Sequence, residues 1–226
     1  MNSIRSELRE VIGCLKGYLE SERDSGVKEY YKEAHVERNT KASKEELLKE
    51  LYKKVSICKA CSLYKTRTKV VFGSGSPEAS LMFIGEAPGH EEDVQGLPFV
   101  GDAGQMLTRI ILAMGYRRED VYIANCLKCR PPMNRSPLMD ELTTCEPNLI
   151  EQIEIIKPKL ICCLGRFAAQ LLLKTTVPIS KLRGKFYDYH GIKIMPTFHP
   201  AYLLRNPGDK RLVWSDMKKL KEELGK

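Results

Sequence analysis

The chain has 226 residues, of which 42% are hydrophobic and 29% charged, with eight cysteines and a formal net charge of +8. That length holds one ordinary domain plus an extension, and the apolar fraction suffices for a packed core. The start Met1-Asn2-Ser3-Ile4-Arg5 lacks an apolar signal core and no apolar run is long enough to span a bilayer, which argues against export and membrane insertion. A cytoplasmic, intracellular protein with no membrane partner is therefore expected.

The positive charge is uneven. The first 50 residues are close to neutral, and the excess lies in the remainder. A basic body favours a polyanionic partner, nucleic acid first, against the plainer reading of a merely soluble basic surface.

Residues 1–42 form a candidate helical extension. Ile4, Leu8, Val11, Ile12, Leu15, Tyr18 and Leu19 recur at helical spacing. A docking helix and a contact for an unidentified protein partner are both open for it. The chemistry is expected in a second domain, 43–226. Ser43-Lys44-Glu45-Glu46 fits a capping box, with Leu47, Leu48, Leu51, Tyr52 and Val55 as the apolar face behind it. That helix delivers the chain to the pair Cys58 and Cys61.

Four apolar runs of strand length follow, at 81–84, 121–124, 160–164 and 192–198. The first three are continuous, as in strands buried on both faces. Helical patterns lie at 103–114, 138–156 and 167–174. Strands alternating with helices predict an α/β fold: a three-layer α/β/α sandwich around a central, mainly parallel four-stranded sheet. In such sheets the ligand crevice lies beyond the carboxyl ends of the strands. Those ends are Gly85-Glu86-Ala87-Pro88-Gly89, Asn125, Gly165-Arg166 and His199-Pro200.

Cys58, Cys61, Cys129 and Cys145 are candidate metal ligands. Four thiolates in a reducing compartment point to zinc or to an iron–sulfur cluster. The spacing, a close pair followed by two widely separated cysteines, differs from the two short pairs of common zinc ribbons. Cys162 and Cys163 sit in an apolar run and are expected in the core.

Gly85-Glu86-Ala87-Pro88-Gly89, continuing through Glu92-Asp93 to Gly96-Leu97-Pro98-Phe99-Val100-Gly101, resembles the first motif of the family-4 uracil-DNA glycosylases, the iron–sulfur members of their superfamily. Asn125 with Lys128-Cys129-Arg130-Pro131-Pro132 resembles their second motif, and His199-Pro200-Ala201-Tyr202-Leu203-Leu204-Arg205 their third. The four cysteines fall where that family holds a [4Fe-4S] cluster; zinc is the alternative.

The resemblance implies a monofunctional DNA-repair glycosylase acting as a monomer on uracil-containing DNA, double- or single-stranded. The nucleotide is flipped into a pocket, because its reacting bond is inaccessible in the stack. Phe99 offers a stacking face. The Asn125 amide supplies both donor and acceptor for uracil's N3–H and O4. Glu86 is the candidate for stabilising the sugar cation or orienting water. His199 is the candidate donor to O2 of the leaving uracil anion, helped by backbone near Gly85 and Ala87. Glu92 shapes the pocket wall against a thymine methyl or supports the water. In the best-known branch of the superfamily an aspartate follows the position of Glu86; here Ala87 stands there, which leaves the water-activating group open.

Leu203, Leu204 and Arg205 are expected to enter the helix where the base has left. Helix-start amides at Arg166 and the loop carrying Ser74 are candidate phosphate seats. Lys128, Arg130 and Arg135 are further candidates for the DNA backbone. The competing function is a non-catalytic iron–sulfur module that recognises uracil in nucleic acid without turnover.

Overall fold

The computed structural model describes residues 42–225. The expected extension over 1–42 lies outside the described residues, Ala42 excepted.

Helix α1 (Lys44–Ser56) begins with the capping box that its sequence encodes. Ser43 Oγ accepts from the Glu46 N–H at 3.2 Å, and Glu46 Oε2 accepts from the Ser43 N–H at 2.7 Å. Such a cap contributes about 1 kcal/mol. The chain then builds β1 (Ser74–Gly75), β2 (Leu81–Gly85), α2 (His90–Gln95), α3 (Asp102–Ala113) and β3 (Tyr122–Asn125). It continues through α4 (Met139–Ile156), β4 (Leu160–Leu164), α5 (Arg166–Leu173), α6 (Ile179–Leu182), β5 (Tyr187–Tyr189) and β6 (Ile192–Thr197). Helices α7 (Pro200–Arg205) and α8 (Lys210–Glu223) close the fold.

The sheet order is β1-β3-β2-β4-β6-β5. The four strands expected from the sequence are β2, β3, β4 and β6, and they are mutually parallel. Two short antiparallel edge strands, β1 and β5, make the sheet six-stranded rather than four-stranded. Neither has an apolar run to announce it. β5 reads Tyr-Asp-Tyr and is set by its turn: His190 and Gly191 both have positive φ (50° and 84°), as a two-residue hairpin of right-handed twist requires.

Strand alternation sorts the core into two layers. Leu81 and Phe83 of β2 pack with Leu107 and Ile111 of α3, Leu203 of α7 and Met217 of α8. Met82 and Ile84 pack with Leu51 of α1, Leu149 and Ile153 of α4, and Ala168 of α5. All five residues of β2 and of β4 are buried. Each fully buried large apolar side chain contributes about 1.5–3 kcal/mol, so the centre of the sheet is the firmest part of the molecule.

The chain leaves β2 through α3 to reach β3 on one side. It then crosses back through α4, on the opposite face, to reach β4 on the other side of β2. The carboxyl end of β2 is thus a topological switch point, where α/β sheets open a crevice.

Candidate active site

Gly85 and Asn125 are register partners at the last rung of β2 and β3. Asn125 is 1% exposed, and among the described residues its Oδ1 is the buried side-chain oxygen or nitrogen that has no hydrogen-bond partner. Leaving such an atom bare costs about 1–3 kcal/mol. A Cβ built on Gly85 would lie 2.4 Å from both Asn125 Oδ1 and Phe99 Cζ. Glycine is needed there for closeness, since its φ is unexceptional.

Phe99 is buried, and its backbone is left-handed at φ 53°. Such strain in a non-glycine residue costs about 1–3 kcal/mol and persists only when the surroundings enforce it. Two residues outside the motifs do so. Gly104, on α3, lets the helix approach so closely that a Cβ would sit 2.0 Å from the Phe99 carbonyl carbon and oxygen. Arg118 donates to the Pro98 carbonyl and, at 3.1 Å, to Thr108 Oγ1. The Phe99 ring lies 5.6 Å from the His199 ring, tilted by 33°.

Glu92 is buried and its carboxylate is fully engaged. Oε2 accepts from the Gly89 N–H at 3.0 Å, and Oε1 accepts from the N–H groups of Val100 (2.9 Å) and Gly101 (3.0 Å). One side chain therefore ties both ends of the first motif together and fixes Phe99 between them.

Glu86 differs. No hydrogen bond engages its carboxylate among the described residues, and burial pushes its pKa up, opposed by the Arg166 charge. His199 caps α7: its Nδ1 accepts from the Ala201 N–H at 3.1 Å. Burial, helped by the Arg205 charge and opposed by Glu92, pulls its pKa down to about 4. The imidazole is therefore neutral at physiological pH. With Nδ1 accepting, the proton resides on Nε2.

Glu86, Ala87, Glu92, Phe99, Asn125 and His199 all line one cavity of about 440 Å³. Five segments whose sequence positions span 114 residues, from 86 to 199, meet there. Tyr202 and Arg205 line it from α7. Pro131, Asn134 and Arg135 line it from the loop after β3; Asn134 and Ala103 carried no signal in the sequence.

The DNA-facing expectations divide. Leu204 is 46% exposed, but Leu203 is 1% exposed and packs in the core with α3 and α8. Leu203 is therefore a core residue and cannot enter a duplex. Arg166 is exposed and stacks over Phe167 at 4.5 Å. Ser74 lies in edge strand β1, which runs antiparallel to β3 and carries the chain away from the cavity edge. It does not join the cavity lining. The neighbouring Gly75 is there because a Cβ would fall 1.8 Å from the Val121 carbonyl oxygen.

Lys128 is also not a backbone contact. It is 1% exposed, and its Nζ donates to the Asn125 carbonyl (2.8 Å) and to Gln152 Oε1 (2.6 Å). Arg135 pairs with the buried Glu141 at 2.5 and 2.9 Å.

Cys58, Cys61, Cys129 and Cys145 line a second cavity, between the end of α1 and α4. Arg67 Nη1 approaches Cys129 Sγ at 3.1 Å. Cys126, Cys162 and Cys163 lie in the core. Among the described residues no group of three or more His, Cys, Asp or Glu side chains is drawn together tightly enough to hold a metal ion, and no helix is long and apolar enough to cross a membrane.

The site is a switch-point pocket of an α/β protein, with a buried amide, a pinned aromatic ring and a neutral histidine. The sequence profile of the uracil DNA glycosylase superfamily matches residues 72–219, and the chain belongs to that superfamily. Within it the likeness is to type-4 members. A type-4 uracil-DNA glycosylase of Archaeoglobus fulgidus is 43% identical over 80% of this chain and 95% of its own length. One of Thermotoga maritima is 45% identical over 81% and 98%. One of Saccharolobus solfataricus is 48% identical over 74% and 82%. A type-5 enzyme of Pyrobaculum aerophilum is more distant, 31% identical over 59% of this chain.

Proposed function

We propose that this protein is a monofunctional uracil-DNA glycosylase, which hydrolyses the bond between deoxyribose C1′ and uracil N1 and leaves an abasic site. The observation that carries this reading is the bare Oδ1 of Asn125. A buried acceptor without a partner calls for an N–H donor. Uracil presents one at N3, whereas cytosine presents a bare acceptor there, so cytosine leaves the site's acceptor unpaired at a cost of about 1–3 kcal/mol. The carbonyl O4 of uracil takes the amide's Nδ2–H. The Phe99 ring, held by Glu92, Gly104 and Arg118, covers one face of the base. Glu92 is the pocket's positioning residue, its carboxylate bonded to the backbone on either side of Phe99.

As the C1′–N1 bond breaks, positive charge develops on the sugar and negative charge on uracil. The Glu86 carboxylate faces the cation and orients the water whose oxygen bonds to C1′. The neutral His199 donates its Nε2–H to uracil O2 and stabilises the leaving anion without surrendering a proton. The water's proton passes to solvent, and the uracil anion is protonated after it leaves.

The four cysteines suit a [4Fe-4S] cluster: they line a cavity instead of meeting at a point, and in a cluster each thiolate holds its own iron. When bound, the group supplies a cross-link, joining the end of α1 to the segment after β3 and to α4. Arg67 supplies positive charge beside it. On this reading the protein acts as an intracellular monomer on DNA. The test is incubation with a duplex oligonucleotide carrying one uracil, followed by alkali. Strand scission at the uracil position is expected. Tight binding without scission would instead indicate a recognition module.

A further inference from the structure

The loop Pro131-Pro132-Met133-Asn134-Arg135 presents an apolar side chain that nothing in the free protein covers. Pro131, Asn134 and Arg135 line the cavity. Met133, between them, is 94% exposed, more than any other large hydrophobic residue among the described residues. Its backbone is left-handed (φ 52°, ψ 27°), and so is that of Asn134 (φ 55°). Side chains with a Cβ avoid this region, and two in succession require enforcement.

The enforcement is on the page. The N–H groups of Asn134 and Arg135 bond the Pro131 and Pro132 carbonyls at 3.1 Å each. Arg130 Nε donates to Asn134 Oδ1 at 2.7 Å, and its Nη1 meets His90 Nδ1 at 3.0 Å. Arg135 is tied to Glu141, itself 1% exposed, at the start of α4. The loop is thus fixed at both ends by charged side chains, with a thioether at its tip pointing into solvent.

An apolar group held rigidly in water gains free energy only when a partner covers it. The tip stands between Pro131 and the Asn134–Arg135 pair that line the cavity, and Leu204, next to the cavity-lining Arg205, is half-exposed. That setting fits the edge of a base stack. Methionine is among the apolar side chains that proteins insert at base steps, and its flexible thioether adapts to any base. We propose that Met133 is a second duplex wedge, packed against the base stack beside the flipped nucleotide from the loop that follows β3. This rests on the reading of the cavity as a uracil pocket in DNA.

A wedge acts on stacking, so it matters for duplex and not for single strands. Met133→Gly removes the side chain and relieves the left-handed strain, so the fold is retained and the melting temperature stays level or rises. Single-turnover uracil release is measured on one oligonucleotide, single-stranded and in duplex, with 2-aminopurine beside the uracil reporting unstacking. Expected for Met133→Gly are a drop of about tenfold on duplex, unchanged release from the single strand and a smaller 2-aminopurine rise. Met133→Leu should restore the duplex rate and the 2-aminopurine rise. Equal rates on both substrates relative to wild type, or an equal loss on both, overturns the wedge while leaving the uracil pocket standing. Failure of the wild type to release uracil from either substrate overturns the pocket reading and the wedge with it.

Discussion

Replacing Glu92 by glutamine separates holding the pocket from doing chemistry in it. The carboxylate accepts three backbone N–H groups, two at Oε1 and one at Oε2. Glutamine keeps one oxygen, which can still serve Val100 and Gly101, but it turns an amide N–H toward the Gly89 N–H. One buried donor then loses its partner, at about 1–3 kcal/mol. The two surviving bonds lose their ionic character and are weakened by about half. A total of about 2–4 kcal/mol follows, which for a domain of this size lowers the melting temperature by roughly 5–15 °C. The assay is thermal unfolding beside steady-state uracil release. The expected pattern is a clear loss of stability, with a raised KM as Phe99 loses its fixed position. An unchanged melting temperature with a collapsed kcat would refute the positioning role and make Glu92 a group that acts on the water.

Further outcomes follow from the same geometry. The rate of uracil release should fall as pH drops through a Glu86 pKa that burial places above the ordinary carboxylate range, because protonation removes the charge facing the sugar. His199, already neutral above about 4, should add no limb near pH 6.5 to the pH–rate profile; a limb there that disappears in His199→Gln would contradict this. Cys129→Ala should abolish the visible absorption of a bound cluster while Cys126→Ala leaves it, and equal loss in both would contradict the quartet. Leu203→Ala should cost about 2–5 kcal/mol in denaturant unfolding, whereas Leu204→Ala should leave stability unchanged and slow excision from duplex.

The strands that position the site were readable because burial on both faces writes itself as continuous apolar runs, as in 81–84 and 160–164. Glu86, Asn125 and His199 were readable through their place at strand ends and Phe99 through the motif that carries it, and one cavity gathers them. Other features were hidden for physical reasons. Leu203 and Leu204 are adjacent in a six-residue helix, too short for periodicity to tell which one faces the core. The serine–glycine run at Ser74 reads as a phosphate loop, yet Gly75 answers a backbone contact with Val121. Lys128, in a basic motif, reads as a DNA contact until the fold buries it against Gln152. Gly104 and Arg118 support Phe99 from five and nineteen residues away in sequence, and only the packing of α3 against the loop reveals them.

The central claim is that the unpartnered Asn125 Oδ1 selects uracil. Its most direct test is chromatographic measurement of free base released from otherwise identical oligonucleotides carrying uracil, cytosine or thymine at one position, by the wild type and by Asn125→Ala. The wild type should release uracil alone, and Asn125→Ala should lose that release by about 10- to 100-fold with its melting temperature retained. Release of uracil by Asn125→Ala at the wild-type rate, or release of cytosine by the wild type, would contradict the account.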